Sequence, residues 1–339
     1  MGQASSLDRP LPAVRGEPPT AARAELGRQL FSDPILSRDG DMSCATCHRP
    51  DLAFTDGLPR ALGRGRVELA RNTPTILNAA LRPRLFWDGR ARDLESQALE
   101  VLLSPREMAA DPEALIPRLQ NHPEYGPRFE TAFPAEKPGA AVSLETIARA
   151  LAAFERTLVF SNSRYDRFVR GDRDALMTPE RRGLNLFRSL KTRCFECHQP
   201  PTFASPVPGS IGLAPLTAGV DHDPLDSRPQ LLEVPSLRNV ALTAPYMHDG
   251  SLEDLESVIR FYADGGQRTR SQPFLDTRIR PFELDQSEME DLVAFLGALT
   301  DTGPVARRPP RVRESAHANE VEEATASSDV PRPRSSPPR

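Results

Sequence analysis

A mainly α-helical fold with long loops is predicted by three observations. Apolar residues recur at helical spacing in several stretches, capping residues open those stretches, and strand-like alternation is scarce. Ser143 reads as an N-cap for a helix with Leu144, Ile147, Leu151, Phe154 and Leu158 on one face. Thr178-Pro179 reads as a cap followed by proline at the first helical position, with Leu184 and Phe187 turned inward. Ser251 is expected to cap a helix carrying Leu252, Leu255, Ile259 and Tyr262, which Gly265 stops. Asp285 with Glu288 opens the last helix, through Leu292, Phe295 and Leu299. Between these, residues Gln199 to Gln230 are dense in Pro and Gly and are expected to form a long surface loop.

A chain of 339 residues can hold about two domains of ordinary size. Leu26-Gly27-Arg28-Gln29-Leu30-Phe31 and Arg182-Gly183-Leu184-Asn185-Leu186-Phe187 echo each other, which predicts a duplicated module with a boundary near residues 161–175. The expected division is a flexible N-terminus (1–19), one domain over 20–165, a second over 166–302 and a disordered tail (303–339). The tail is rich in Pro, Arg, Ser and Glu, and it lacks the apolar surface needed to offset ordering entropy. The net charge is -4 at pH 7, so no basic field exists to hold nucleic acid. No apolar stretch approaches the roughly 20 residues that span a bilayer.

Each echoing run precedes a Cys-x-x-Cys-His pentapeptide: Cys44-Ala45-Thr46-Cys47-His48 and Cys194-Phe195-Glu196-Cys197-His198. Together they use all 4 cysteines. In this motif the two thiols add across the vinyl groups of a haem, and the histidine becomes an axial iron ligand. A four-ligand zinc site, a thioredoxin-like dithiol and a disulfide framework are the alternatives. The first two give no reason for a His directly after the second Cys in both copies. Two covalent c-type haems are therefore expected. Bacterial haem attachment takes place outside the cytoplasm, yet Met1 to Pro19 lacks the charged start and apolar core of a secretory signal. The expectation is a periplasmic or otherwise exported protein whose signal has been removed or whose start is misplaced.

The runs LGRQLFSDPILSRDGDMSCATCH, RNTPTILNAA, FWDGRARDLESQALE, SPREM, PSLRNVALTAPYMHDGS and LVAFLGALT resemble the bacterial diheme cytochrome c peroxidases and their MauG-type relatives. The likeness runs from about Leu26 to Thr300. It implies two cytochrome c domains whose haems face a shared interface, with the N-terminal haem, held by His48, as the site of peroxide reaction. A peroxidase needs an iron with an open sixth position and a group that moves a proton between the peroxide oxygens.

By the family's spacing, Trp87 is the bridge between the haems, while Gln97 and Glu107 lie at the peroxide pocket, Glu107 as the acid-base group. Peroxidases of this family that need prior reduction supply a His from the loop corresponding to residues 57–71. That loop has none here, and His122 is the remaining candidate in the first half. For the second haem, held by His198, the family's spacing points to Tyr262 as the far ligand, as in the MauG branch, with Met247 as the competitor. A phenolate favours high iron oxidation states.

A calcium ion held by Asn72, Thr243 and Pro245 is also implied. Two departures stand out. MauG carries a surface Trp just before its second haem motif, where this chain has Thr192-Arg193, and Val101 stands where the pocket usually has Pro. The resemblance implies a peroxidase that reduces hydrogen peroxide with electrons from a small cytochrome c or cupredoxin. The alternatives are a MauG-type enzyme that oxidises side chains of a partner protein, and a non-catalytic diheme electron carrier.

Overall fold

Thr20 opens the first helix by accepting a hydrogen bond from the Arg23 N–H, and α1 (Ala21–Ser32) follows. The structure, a computed structural model, describes residues 11–134, 141–213, 231–267, 275–301 and 303. A single helical turn, α2 (Cys44–Cys47), carries the first Cys-x-x-Cys-His. Helices α3 (Leu94–Leu103), α4 (Pro112–Gln120), α5 (Tyr125–Ala132) and α6 (Leu144–Glu155) complete the first half. The second half contains α7 (Arg164–Val169), α8 (Thr178–Phe187), α9 (Leu255–Ala263) and α10 (Gln286–Ala298). Among the described residues the sheet structure is one antiparallel pair, β1 (Ser205–Gly209) with β2 (Leu232–Val234). The fold is mainly α, as the periodicity predicts, and no described helix is long and apolar enough to cross a membrane.

The described residues group as one compact unit. Within it, buried apolar side chains form two clusters, one drawn from Leu26 to Leu158 and one from Tyr165 to Leu299. In the first, α1 packs across α6, and in the second α8 packs across α10. The echoing glycines explain both crossings. A Cβ on Gly27 would overlap the Ala150 carbonyl oxygen, and a Cβ on Gly183 would overlap that of Asp291. Only glycine lets the two backbones approach this closely. Each crossing then closes over aromatic rings: Phe31 lies 5.1 Å from Phe154, and Phe187 lies 5.1 Å from Phe295.

The predicted helix starts hold in two places. Ser143 accepts from the Thr146 N–H at 3.1 Å, and Asp285 and Glu288 form a reciprocal capping box. Leu158 is buried but lies beyond α6, which ends at Glu155. Two starts move. Met177 is the residue before α8, because the buried Glu180 carboxylate reaches back to its N–H at 2.8 Å. Asp254, not Ser251, caps α9 by accepting from the Ser257 N–H, since Leu252 is engaged in a bridge with Tyr246.

The expected surface loop after Gln199 is also corrected. Phe203 is fully buried among Tyr165, Phe187 and Phe295, and Ser205–Gly209 is a strand. Residues 214–230 of that loop, residues 1–10 and the tail beyond Gly303 lie outside the described residues.

Candidate haem sites

The near side of both sites is built twice from the same parts. His48 follows α2, and its Nδ1 lies 3.1 Å from the Phe54 carbonyl oxygen. His198 repeats this, with Nδ1 at 3.0 Å from the Phe203 carbonyl oxygen. An Nδ1–H donated to a carbonyl fixes the tautomer and leaves the Nε2 lone pair for a metal. Burial pushes both imidazoles toward the neutral form, while the two carbonyls oppose it. Below each ring the packing repeats, with Phe31 at 6.1 Å from Phe54 and Phe187 at 5.9 Å from Phe203. Thr75 donates to the Ala53 carbonyl and Ser236 to the Thr202 carbonyl, each at 2.6 Å.

All four cysteines are free thiols, which removes a disulfide framework. Burial pushes Cys44 and Cys47 up to about 12 and Cys194 up to about 11, so the thiols are neutral. Burial is the main cause, and the nearby Glu155 carboxylate adds to it at Cys44 and that of Asp56 at Cys47. Beside the second motif lies a cavity of about 270 Å³. Cys194, Cys197, His198, Met247, His248 and Tyr262 are among its lining residues. A thiol pair, a histidine whose Nδ1 is held by a carbonyl and an adjoining apolar cavity fit a covalently attached haem.

Two helices, α3 and α9, begin alike. The chain repeats Asp-Leu-Glu-Ser at Asp93 and Asp254, and in both copies the Asp side chain caps the helix through the Ser N–H. The eighth residue after the cap is Val101 in α3 and Tyr262 in α9, and Gln97 is matched by Val258. Tyr262 lies close to both thiols of the second motif. Burial, reinforced by Cys197 and Cys194, pushes its phenol up, so only a bound cation would displace the proton. Met247 lines the same cavity, so the geometry leaves both residues within the second site.

Glu107 follows α3 and is half-buried. Burial pushes its carboxyl up, against a hydrogen bond with Ser104 and the Arg90 charge. Its charge is felt by both Cys44 and Cys47, which brings it to the first motif. Gln97 is half-buried on α3. The loop over residues 57–71 folds on the same side, with Leu62 facing Cys47 and the Arg64 N–H bonded to the Arg106 carbonyl at 2.7 Å. His122 does not reach this site: its Nδ1 accepts from the Glu124 and Tyr125 N–H groups at the start of α5.

Trp87 sits where the halves meet. Its indole N–H donates to the Asn72 carbonyl at 2.9 Å, the Asn72 N–H donates to the His248 carbonyl at 2.9 Å, and the Glu233 N–H donates to the Trp87 carbonyl at 2.8 Å. Trp87 and His248 are themselves counterparts. Both precede Asp-Gly, the residues before them, Phe86 and Met247, have φ of 65° and 73°, and matching bridges Leu85↔Ala91 and Tyr246↔Leu252 close the turns. Their rings meet edge to face at 6.4 Å. Asn72, Thr243 and Pro245 line the cavity beside Trp87, with the Asn72 side-chain amide donating to the Leu58 carbonyl. Sequence reasoning passed over His248, although the repeated Asp-Gly after it and after Trp87 was there to be read.

A family profile described as di-haem cytochrome c peroxidase matches residues 21–174. The MauG protein of Methylorubrum extorquens is 40% identical over 293 residues, covering 85% of this chain and 81% of its own. The cytochrome c551 peroxidase of Nitrosomonas europaea is 33% identical over 308 residues, covering 89% and 86%. The chain belongs to the diheme cytochrome c peroxidase and MauG family. Among solved structures, a MauG-like protein associated with microbial copper homeostasis superposes with a TM-score of 0.73 at 31% identity, covering 88% of this chain and 98% of that one. As a member of this family the protein is an oxidoreductase that uses peroxide, with haem as its cofactor.

Proposed function

We propose that the protein reduces hydrogen peroxide at an open haem site held by Cys44, Cys47 and His48. A second haem on Cys194, Cys197 and His198 is closed by Tyr262. Residues 20–165 and 166–302 form the two haem-bearing halves, with the haems facing the interface at Trp87. The observation that carries this reading is the matched pair of capped helices, in which Val101 and Tyr262 hold the same position eight residues after the capping Asp. An aliphatic side chain has no lone pair for iron, whereas a phenol becomes a ligand once it loses its proton.

When bound, haem supplies an iron that accepts a peroxide oxygen and takes up oxidising equivalents. The chain's own residues do the rest. Glu107 takes the proton from the near oxygen of peroxide and returns it to the leaving oxygen, as a buried carboxyl with a raised pKa can do near neutral pH. Gln97 steers the peroxide by hydrogen bonding. His48, its Nδ1 held by the Phe54 carbonyl, would hold the iron through Nε2. Trp87, held by Asn72, places an aromatic ring between the two sites. Asn72, Thr243 and Pro245 offer amide and carbonyl oxygens to a calcium ion, the donor type that such a hard cation takes.

The electrons come from a small cytochrome c or cupredoxin outside the cytoplasm, where covalent haem attachment occurs. The second reading, oxidation of a partner protein's side chains, is favoured by the 40% identity to a MauG protein. Electron paramagnetic resonance of the oxidised protein tests the site assignment. One high-spin and one low-spin haem, with peroxide reacting without prior reduction, is the expected result. Two low-spin haems that ignore peroxide would leave an electron carrier. Competition with reduced cytochrome c then separates the peroxidase from the side-chain oxidase.

A further inference from the structure

We propose that Arg82 and His248 hold a carboxylate of the group bound in the second cavity, a propionate of the haem attached at Cys194 and Cys197. His248 is only 1% exposed, and neither ring nitrogen has a hydrogen-bond partner. An imidazole always carries at least one N–H donor, and leaving a buried donor unmade costs about 1–3 kcal/mol. The ring lines the same cavity as Cys194, Cys197 and His198, so the missing partner is something that the cavity receives.

Arg82 lines that cavity too. Among the described residues its side chain makes no hydrogen bond or ion pair, and Glu233 is the one charge that opposes its burial. Glu233 is already engaged by Arg84 at 2.7 Å. A half-buried cation without a counter-ion is costly, and a guanidinium matches a carboxylate with two parallel N–H bonds. The two groups line one cavity and are linked through Trp87. Arg82 neighbours Glu233, whose N–H is bonded to the Trp87 carbonyl, and the Trp87 ring meets His248. A cation and a neutral donor on the wall of one cavity suit an anion within it, and propionates are the anionic part of haem.

The inference rests on the reading that the second cavity holds a haem. It is tested on the holoprotein by redox titration of the second haem with spectroscopic detection. Arg82→Gln and His248→Phe leave the carboxylate uncompensated, which favours the ferric state. At a fixed solution potential the ferrous-to-ferric ratio falls about tenfold or more in Arg82→Gln, equivalent to about 59 mV. His248→Phe lowers it in the same direction, and Arg82→Lys and His248→Gln, which retain the charge or the donor, restore most of the loss.

Resonance Raman spectra of the unaltered protein give a second readout, independent of whether the variants fold. The propionate bending band of the second haem shifts on transfer to D₂O. An unmoved ratio in both removal variants, or a band indifferent to D₂O, would overturn the assignment. A single haem per unaltered chain would instead remove the reading beneath it.

Discussion

Val101 and Tyr262 occupy the same position in two copies of one capped helix, eight residues after Asp93 and Asp254, and one of the two carries an oxygen. The near sides of the two sites are alike to within 0.1 Å in their histidine-to-carbonyl distances, 3.1 and 3.0 Å. On the proposed reading, the difference in chemistry therefore lies on the far side of the two histidines. Val101→Tyr is expected to give the first site a ligand like the second. The high-spin resonance of the oxidised protein is lost, and peroxide turnover falls about tenfold or more, at least about 1.4 kcal/mol in the barrier. A retained high-spin signal with unchanged turnover would mean that Val101 does not face the iron.

Glu107→Gln removes the proton carrier while preserving size. Peroxide turnover drops by about 10²–10⁴-fold with both haems still attached. Burial raises the Glu107 pKa above 4.5, and the residue acts first as a base, so activity is lost as pH falls through that raised value. The acidic limb of kcat/KM in the unaltered enzyme accordingly lies above pH 4.5. A limb that does not move in the variant would take Glu107 out of the mechanism.

Tyr262→Phe and Met247→Ala separate the two candidates that share the second cavity. The low-spin resonance of the second haem is expected to change in Tyr262→Phe and to persist in Met247→Ala. The reverse pattern, with a charge-transfer band lost in Met247→Ala, would assign the ligand to the methionine.

Glu155 is buried near Cys44, and burial pushes its carboxyl up to about 8, with Arg156 opposing and Glu95 adding. The folded state holds this proton more tightly than the unfolded chain. Its contribution is complete below the unfolded value of 4.5 and is lost as pH rises to about 8, at roughly 1.4 kcal/mol per pH unit. Glu155→Gln is expected to flatten the stability curve across that window and to raise the melting temperature at pH 8. A parallel pair of curves would show that Glu155 ionises normally.

Much of this was legible in the chain. The Cys-x-x-Cys-His pairs, the echoing glycine runs and the capping box at Asp285 are local, short-range signals, and local geometry obeys them. The start of α9 was not legible, because Ser251 and Asp254 are both good caps and the choice falls to the long-range bridge at Leu252. Phe203 was hidden for a similar reason. It lies among prolines that mark a loop, yet the ring fills the space beneath His198, whose Nδ1 is bonded to its carbonyl. The pairing of Val101 with Tyr262 needed both levels: family spacing named Tyr262, and the repeated Asp-Leu-Glu-Ser cap identified Val101 as its counterpart.

The hydrogen bonds that join Asn72 to His248 and Glu233 to Trp87 run from main chain to main chain. Such ties do not depend on which side chain a position carries, so they survive substitution at the residues that make them. Selection can therefore exchange side chains in either half without resetting the main-chain ties between Asn72, Trp87, Glu233 and His248. Two halves joined in this way keep their register while their side chains diverge.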